Sequence, residues 1–413
     1  MKAIHLYIPA NHFIPELPGG SLQYLRYGPY LRERGIEITV LTARGPLHDK
    51  ECFEINGIEV RRVSTPEPSG FLQDLLALTN LAAEEIKKRN IRNRACIQPI
   101  GTFAFTPGSV LEMLRIRSAG IPLLRHFTEV PEPLPCNRLR FLRNCLKARV
   151  GLSPYSRLLM CSQVMGRAFQ GYAGISDRRI EVIPNGIDRG VFHPGEDAAK
   201  PNLRRKLGLP VEGPLVLSVC SVIPRKGVDL LVKAWERVLA KHPDATFVIV
   251  GSDFVRPTLS DSRDRKEVAV FIEEIRSAIS RLSRPGSVIL TGEVDNVQDY
   301  YKAADVFAFA SHKEGLPSAV LEAMSSGLPS VLAPFHGFPA PGEEYGIPDV
   351  HFLSASHDPD SLAAGILCLL SSETERRRIG NSASRWISET QSMDYAADRL
   401  ATVYRSVCGG ERI

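Results

Sequence analysis

The sequence predicts a parallel α/β protein built from two Rossmann-like domains, and three observations carry that expectation. Short apolar runs alternate with amphipathic helical stretches from end to end, the pattern of strands joined by helical crossovers. The chain has 413 residues, enough for two separate cores. A stretch rich in Gly, Pro and charge, Phe192 to Pro214, interrupts the alternation near its middle, and a second strand–helix series begins after it.

In the first series, 3–8 reads as a strand and 19–34 as the loop and helix that follow it. A strand at 37–42 precedes a hairpin of 53–55 and 58–63, turning at Asn56-Gly57, the strongest short hairpin signal. Further strands are expected at 95–100, 122–125, 158–162 and 180–183. The linker is expected at the start of the 192–214 break. The second series has strands at 215–220, 246–251, 287–291, 306–310, 330–333 and 351–353, with helices such as 228–241 and 268–282 between them. Beyond Asp360 the pattern is nearly all helical. In such open sheets ligands bind at the carboxyl ends of the strands, and two sheets face to face would leave a cleft.

Bulk composition excludes several classes. Hydrophobic residues make up 44% and charged residues 23%, ordinary globular values. A net charge of +5 is too small to argue for nucleic acid, so no nucleic-acid partner is expected. The eight cysteines form no C-x-x-C pair, which argues against a zinc site or disulfide framework and makes a reducing cytoplasm the default. The start, MKAIHLYIPA, reads as a first strand rather than a signal peptide. No apolar stretch approaches the roughly eighteen residues needed to span a bilayer.

The most informative run is HKEGLPSAVLEAMSSGLPSV, where Glu314 lies in a Gly/Pro loop and Glu322 on an amphipathic helix. Gly315 and Pro317 make a tight turn, Ser318 is placed to cap the helix, and Gly327 with Pro329 ends it. The free N–H groups and partial positive charge of that helix start suit an anion, and the two carboxylates suit hydroxyls. A sugar nucleotide carries both kinds of group. After the strand at 215–220, Arg225 and Lys226 sit in a Pro/Gly loop that opens a helix, as a diphosphate site requires.

The E-x7-E spacing inside EG-x-P…EAM-x-x-G-x-P resembles the donor-binding signature of retaining glycosyltransferases of family 4, which have the GT-B fold. RIEVIPNGIDRGVFHP, 179–194, is similar to the family's interdomain signature, and Lys226 aligns with the Lys of its G-R-L-x-x-x-K-G motif. Here the motif's Gly is Cys220 and its Arg is Ser221, and Arg225 stands where it could supply the missing cation. Pro18-Gly19-Gly20-Ser21 resembles the family's glycine loop, with Ile36 replacing a later His. No G-x-G-x-x-G occurs anywhere, so a dinucleotide fingerprint is excluded.

The resemblance implies a first, acceptor-side domain over 1–190, a nucleotide-sugar-binding domain over 191–390, and a C-terminal helix, 391–413, packing back on the first. It implies transfer of a sugar from a UDP- or GDP-sugar donor, with retention, to a glycan, lipid-linked or small-molecule acceptor. His126, Glu314, Arg225 and Lys226 are the implied catalytic set. Gly19, Gly20, Ser221, Gly292, Val294, Gly315, Leu316, Pro317 and Glu322 join Arg225, Lys226 and Glu314 as donor-binding residues, the Gly292–Val294 turn lying near the nucleobase. Arg125 and Glu129 are secondary candidates beside His126, and Ser162 matches the Ser of the family's first-domain strand end, with a structural cap as the alternative. Asp358-Pro-Asp360 is a literal D-x-D, but its place before an apolar-periodic helix reads as N-capping, so no metal site and no cofactor are expected. Basic and apolar residues interleave from Arg138 to Arg149 within 137–149. That helix could touch an anionic membrane, placing the protein peripherally on the inner face of the cytoplasmic membrane, although an ordinary helix with its apolar face on the first sheet is favoured. Two alternatives stay open: a GT-B binding or assembly subunit without turnover, which the Ser221 departure favours, and a GT-B sugar-nucleotide epimerase. A pyridoxal-phosphate phosphorylase and a nicotinamide oxidoreductase are set aside.

Overall fold

The computed structural model describes residues 3–11, 13, 19–43, 51–63, 71–100, 106–128, 138–255 and 262–409. The chain forms two compact units, Met1–Gly186 with Met393–Ile413, and Ile187–Ser392. The division falls at Gly186–Ile187 rather than after residue 190.

In the first unit, β1 (Ile4–Ala10), β2 (Ile36–Ala43), β3 (Cys52–Ile55), β4 (Ile58–Val63) and β5 (Ala95–Ile97) form a sheet of order β3-β4-β2-β1-β5. Only the β3–β4 hairpin is antiparallel. Its turn residues, Asn56 at φ 48° and Gly57 at φ 71°, are both left-handed, which suits the twist of a two-residue hairpin. The turn packs on helix Gly19–Glu33 at Gly28, where a Cβ would collide with the Asn56 carbonyl. Pro29 cannot donate to the Leu25 carbonyl, and the Asn56 side chain donates to it instead at 3.5 Å.

Three further strands, β6 (Leu124–Phe127), β7 (Arg157–Met160) and β8 (Ile180–Val182), form a parallel ladder. A bridge from Ile97 to Leu123 joins it to β5. Pro99 has no N–H to continue a ladder, and β5 ends at Ile97, short of the expected strand. β6 runs two residues later than expected, so His126 lies inside the strand, opposite Leu159, and does not follow it. The unit's core joins Leu6, Ile8, Ile38 and Val40 to Tyr24, Tyr27 and Leu31 of helix Gly19–Glu33. Met393, Ala397, Leu400 and Tyr404 of helix Met393–Cys408 complete it. Arg34 clamps that last helix through Asp394 and Asp398, at 2.8 and 2.7 Å.

The second unit has one fully parallel sheet: β9 (Leu215–Val219), β10 (Thr246–Val250), β11 (Val288–Leu290), β12 (Val306–Phe309), β13 (Ser330–Leu332) and β14 (Leu353–Ser354), in the order β11-β10-β9-β12-β13-β14. Helices cover the sheet, and residues of β9, β10, β12 and β13 are buried almost throughout, which is why those strands read as continuous apolar runs. Chain order reverses between β9 and β12. There successive crossovers leave to opposite sides and the loops beyond the strand ends part, opening the crevice in which such sheets bind ligands.

The 192–214 stretch is packed rather than a bare linker. Helix Lys200–Lys206 buries Arg204, which donates to the Ala303, Val211 and Gly213 carbonyls and pairs with Asp305 at 2.7 Å. Among the described residues, no helix is long and apolar enough to cross a membrane.

Candidate active site

The loops leaving β9, β10 and β11 are bonded to one another one step past the ladders. Cys220 N–H donates to the Val250 carbonyl (2.9 Å), Val222 N–H to Ser252 (2.7 Å), and Gly251 N–H to Gly292 (3.0 Å). Gly251 sits at φ 143°, and a Cβ there would run into the Cys220 carbonyl. Ser221, Gly251 and Gly292 therefore lie side by side at the carboxyl edge, with Gly292 left-handed at φ 71° and Val294 half-buried after it.

The loop after β9 is tied to the loop after β12. Pro224–Lys226 form a 3-10 turn, and Gly227 follows at φ 64° with no room for a Cβ against the Ala310 carbonyl. The Arg225 carbonyl accepts from His312 N–H at 2.8 Å and lies 3.0 Å from Ser311 Oγ. The side chains then converge on one carboxylate. Lys226 Nζ lies 2.5 Å from Glu314 Oε1, Ser311 Oγ 2.6 Å from the same oxygen, and Arg225 Nη1 3.1 Å from Oε2. Arg225 also donates to the Lys313 carbonyl at 2.6 Å. The Glu314 side chain is only 9% exposed, against 41% for Arg225. Two cations facing one carboxylate leave a local positive surplus, half-open to solvent.

Glu314 N–H donates to the His336 carbonyl, and His336 N–H to His312, so a second loop straps this one in place. The rings of His312 and His357 stack with centroids 4.8 Å apart, and His357 Nε2 lies 2.9 Å from the Ser311 carbonyl. Gly315 and Leu316 are buried, and Pro317 occupies the N-cap position of helix Ser318–Ser325. The expected Ser318 cap is not formed: Ser318 is already the first helical residue, and proline has no side-chain acceptor. The helix ends at Ser325 with Ser326 as its C-cap, and Gly327 follows left-handed at φ 71°. Glu322, on the same helix, is buried and lies 3.1 Å from the Tyr301 hydroxyl.

In the first unit, Gly19 and Gly20 are the opening residues of their helix rather than a loop before it, and Pro18 lies outside the described residues. His126 Nδ1 is 3.0 Å from the Tyr24 hydroxyl, while its Nε2 is closed off from solvent without a hydrogen-bond partner. Burial, and secondarily the Arg125 charge, push the imidazole down to about 4, so the ring is neutral at neutral pH. Arg125 is buried and donates to the Pro99 carbonyl at 3.3 Å; Glu129 lies outside the described residues. Ser162 caps helix Gln163–Ala173 through Met165 N–H. Asp358 caps helix Pro359–Ser371 through Ser361 N–H at 2.8 Å, and Asp360 pairs with Arg237, so the D-x-D is spent structurally.

On helix Arg138–Gly151 the outcome differs from the favoured expectation. Leu142, Leu146 and Val150, four residues apart, are 54%, 63% and 50% exposed, so this apolar stripe faces outward, flanked by Arg143, Lys147 and Arg149. Residue 137 and the side chains of 138–140 lie outside the description.

Sequence reasoning missed Ser311, Tyr301 and the Tyr24 contact. Ser311 was reachable, since a hydroxyl three residues before Glu314 at a strand end is a local pattern. Tyr24 is 102 residues from His126, and nothing local links them.

Two family descriptions match the chain: "Glycosyl transferases group 1" over residues 199–386 and "Glycosyltransferase Family 4" over residues 19–190. The chain belongs to the family 4 glycosyltransferases and has their GT-B fold, two Rossmann-like domains. It is 31% identical over 220 residues to a D-inositol 3-phosphate glycosyltransferase of Acidothermus cellulolyticus, a match covering 52% of this chain and 45% of that protein. It is 27% identical over 256 residues to a GDP-mannose-dependent monoacylated alpha-(1-6)-phosphatidylinositol monomannoside mannosyltransferase of Corynebacterium glutamicum, covering 60% and 62%. The chain thus spans about half to three-fifths of these relatives' length. Among solved structures, Anabaena Alr3699/HepE in complex with UDP superposes with a TM-score of 0.71 at 18% identity, over 98% of this chain and all of that one.

Gly227 holds the cation loop against β12. Gly227→Ala is expected to cost at least about 1–2 kcal/mol for the left-handed backbone alone, with the carbonyl clash added. Thermal unfolding checks this; a melting temperature matching wild type would contradict it.

Proposed function

We propose that the chain is a retaining glycosyltransferase that moves a sugar from a UDP- or GDP-sugar to a glycan, lipid-linked or small-molecule acceptor. The observation that carries this reading is the convergence of Arg225 and Lys226 on Glu314 at the switch point of the second sheet. In the free protein the carboxylate is their counterion. An arriving diphosphate brings more negative charge and takes over the cations; a unit pair at about 4 Å is worth roughly 4 kcal/mol at an effective dielectric near 20. Glu314 is then released toward the sugar hydroxyls, together with the Gly315–Leu316 backbone, while Glu322 takes the ribose hydroxyls and the Gly292–Val294 turn the base.

In the reaction, the bond from the anomeric carbon to the diphosphate oxygen breaks and the acceptor oxygen bonds to that carbon on the same face. The acceptor proton goes to the leaving phosphate oxygen, so no enzymatic nucleophile is needed. Arg225 and Lys226 stabilise the charge growing on the diphosphate, the role an oxyanion-stabilising group plays in other transfers. That pair also answers the Ser221 departure. Arg225 and Lys226 reach the same carboxylate, so two cations stand within one ion's reach despite the missing family Arg. A role as a binding subunit without turnover is correspondingly less favoured. With the leaving charge met by side chains, no divalent metal is required.

Names of similar proteins support the donor class: one relative is GDP-mannose-dependent and one structural neighbour holds UDP. The test is calorimetric titration of UDP, GDP and their sugars with chelator present. One nucleotide should bind without metal, and Lys226→Ala should weaken it by roughly 10- to 150-fold, the 1.5–3 kcal/mol of a hydrogen bond to a charged group. Glu322→Ala should weaken it too. Absence of binding across the panel, or binding only with added metal, contradicts the reading.

The outward Leu142–Leu146–Val150 stripe with its basic flanks fits an anionic lipid surface, where a lipid-linked acceptor would be found. Vesicles containing anionic lipid should co-sediment the protein, and Leu146→Glu should reduce that binding several-fold. Equal sedimentation of the two proteins would rule out this face.

A further inference from the structure

Helix Gly19–Glu33, the segment after β5 and helix Met393–Cys408 meet in the core of the first unit and bring together Tyr24, Gln98 and Tyr404, none more than 1% exposed. With water excluded, their protons can be counted. Burial holds both phenols above their ordinary range, so each keeps its single proton. Tyr404 donates that proton to the Gln98 side-chain oxygen at 3.0 Å. The Gln98 amide nitrogen donates to the Tyr24 oxygen. The Tyr24 proton then has two acceptors within reach, His126 Nδ1 at 3.0 Å and the Tyr404 oxygen at 3.5 Å. The shorter contact decides, since O–H donors weaken well before 3.5 Å. His126 Nδ1 is therefore an acceptor, and a neutral imidazole that accepts at Nδ1 carries its proton on Nε2.

We propose that the Tyr404–Gln98–Tyr24 relay fixes His126 in the Nε2–H tautomer, which makes Tyr24 a positioning residue and makes the histidine a hydrogen-bond donor to a substrate whose binding uncovers Nε2. The Nε2 atom is the one left without a partner. A buried donor without an acceptor is destabilising, and an acceptor oxygen of the substrate would relieve it on binding. Orientation of the Gln98 amide sets the outcome. Turned over, its oxygen would take the Tyr24 proton, Nδ1 would have to donate, and Nε2 would become an acceptor. The role of the ring in turnover rests on the glycosyltransferase reading above; its tautomer does not.

Long-range proton–nitrogen correlation NMR on histidine-labelled full-length protein tests the relay, with the His126 signals assigned by their loss in His126→Gln. Wild type should show Nε2 protonated and Nδ1 unprotonated. Tyr24→Phe should abolish the preference and lower kcat by about two- to twelvefold, the worth of one neutral hydrogen bond, with little change in KM for the donor. A wild-type proton on Nδ1 overturns the proposal, and this outcome does not depend on the Tyr24→Phe variant. A Tyr24→Phe protein that keeps both the wild-type tautomer and the wild-type kcat overturns it as well. Unchanged turnover in His126→Ala is a separate outcome: it removes the histidine from the reaction, and the positioning role with it, while leaving the nucleotide-binding test of the second unit untouched.

Discussion

The Glu314 carboxylate is the contact on which the carboxyl edge of the second unit's sheet depends. It takes Lys226, Arg225 and Ser311 at 2.5–3.1 Å and so joins the loops after β9 and β12, the two strands between which chain order reverses. A switch point opens a crevice because its two crossovers diverge; the same divergence leaves the loop tips without neighbours of their own. Here the cost is met by charge. Two adjacent cations would repel each other at a strand edge, and one nearly buried carboxylate between them turns repulsion into a clamp. Gly227 and the His312 N–H to Arg225 carbonyl bond then fix the backbone beneath it.

The two units solve the same topological problem with different chemistry at the carboxyl edge. In each, the first strand of the series lies centrally, between β2 and β5 or between β10 and β12. The second unit puts fixed charges beside its switch point. The first instead holds a neutral histidine on β6, deprived of solvent at Nε2 and bonded at Nδ1 to a buried tyrosine. A charged loop suits recognition of a diphosphate, whereas a neutral donor suits an uncharged hydroxyl or ring oxygen. That division fits the proposed transfer, in which one group is strongly anionic and the other is not.

Much of the fold was legible because its signals are local. Parallel strands buried on both faces give unbroken apolar runs, and Asn56-Gly57 requires two left-handed residues in sequence, which the structure has. The D-x-D was rightly read as a cap, since Pro359 directly follows Asp358. Errors arose where a proline acts on its neighbours. Pro99 follows the early end of β5, and Pro317 took the capping position assigned to Ser318. In the site, the motif residues around Glu314 could be read, but the pairing of Glu314 with the very cations assigned to phosphate could not. That pairing spans 88 residues and depends on β9 and β12 being neighbours. The Tyr24–Gln98–Tyr404 cluster was invisible for the same reason, with separations of 74 and 306 residues. The stripe of Leu142, Leu146 and Val150 shows a different limit: periodicity identifies an apolar face but not what lies against it.

Affinity of Glu314→Gln for the bare nucleoside diphosphate is the most direct test of the proposal that Arg225 and Lys226 hold a diphosphate with Glu314 as its stand-in. Losing the competing charge should tighten binding by several-fold or more, because a unit charge about 5 Å away is worth on the order of 1–3 kcal/mol between aqueous and surface dielectrics. The same variant should transfer sugar poorly, having lost an acceptor for its hydroxyls. Unchanged or weaker diphosphate binding would mean that the carboxylate does not compete with the ligand, and that the cations serve the loop rather than the substrate.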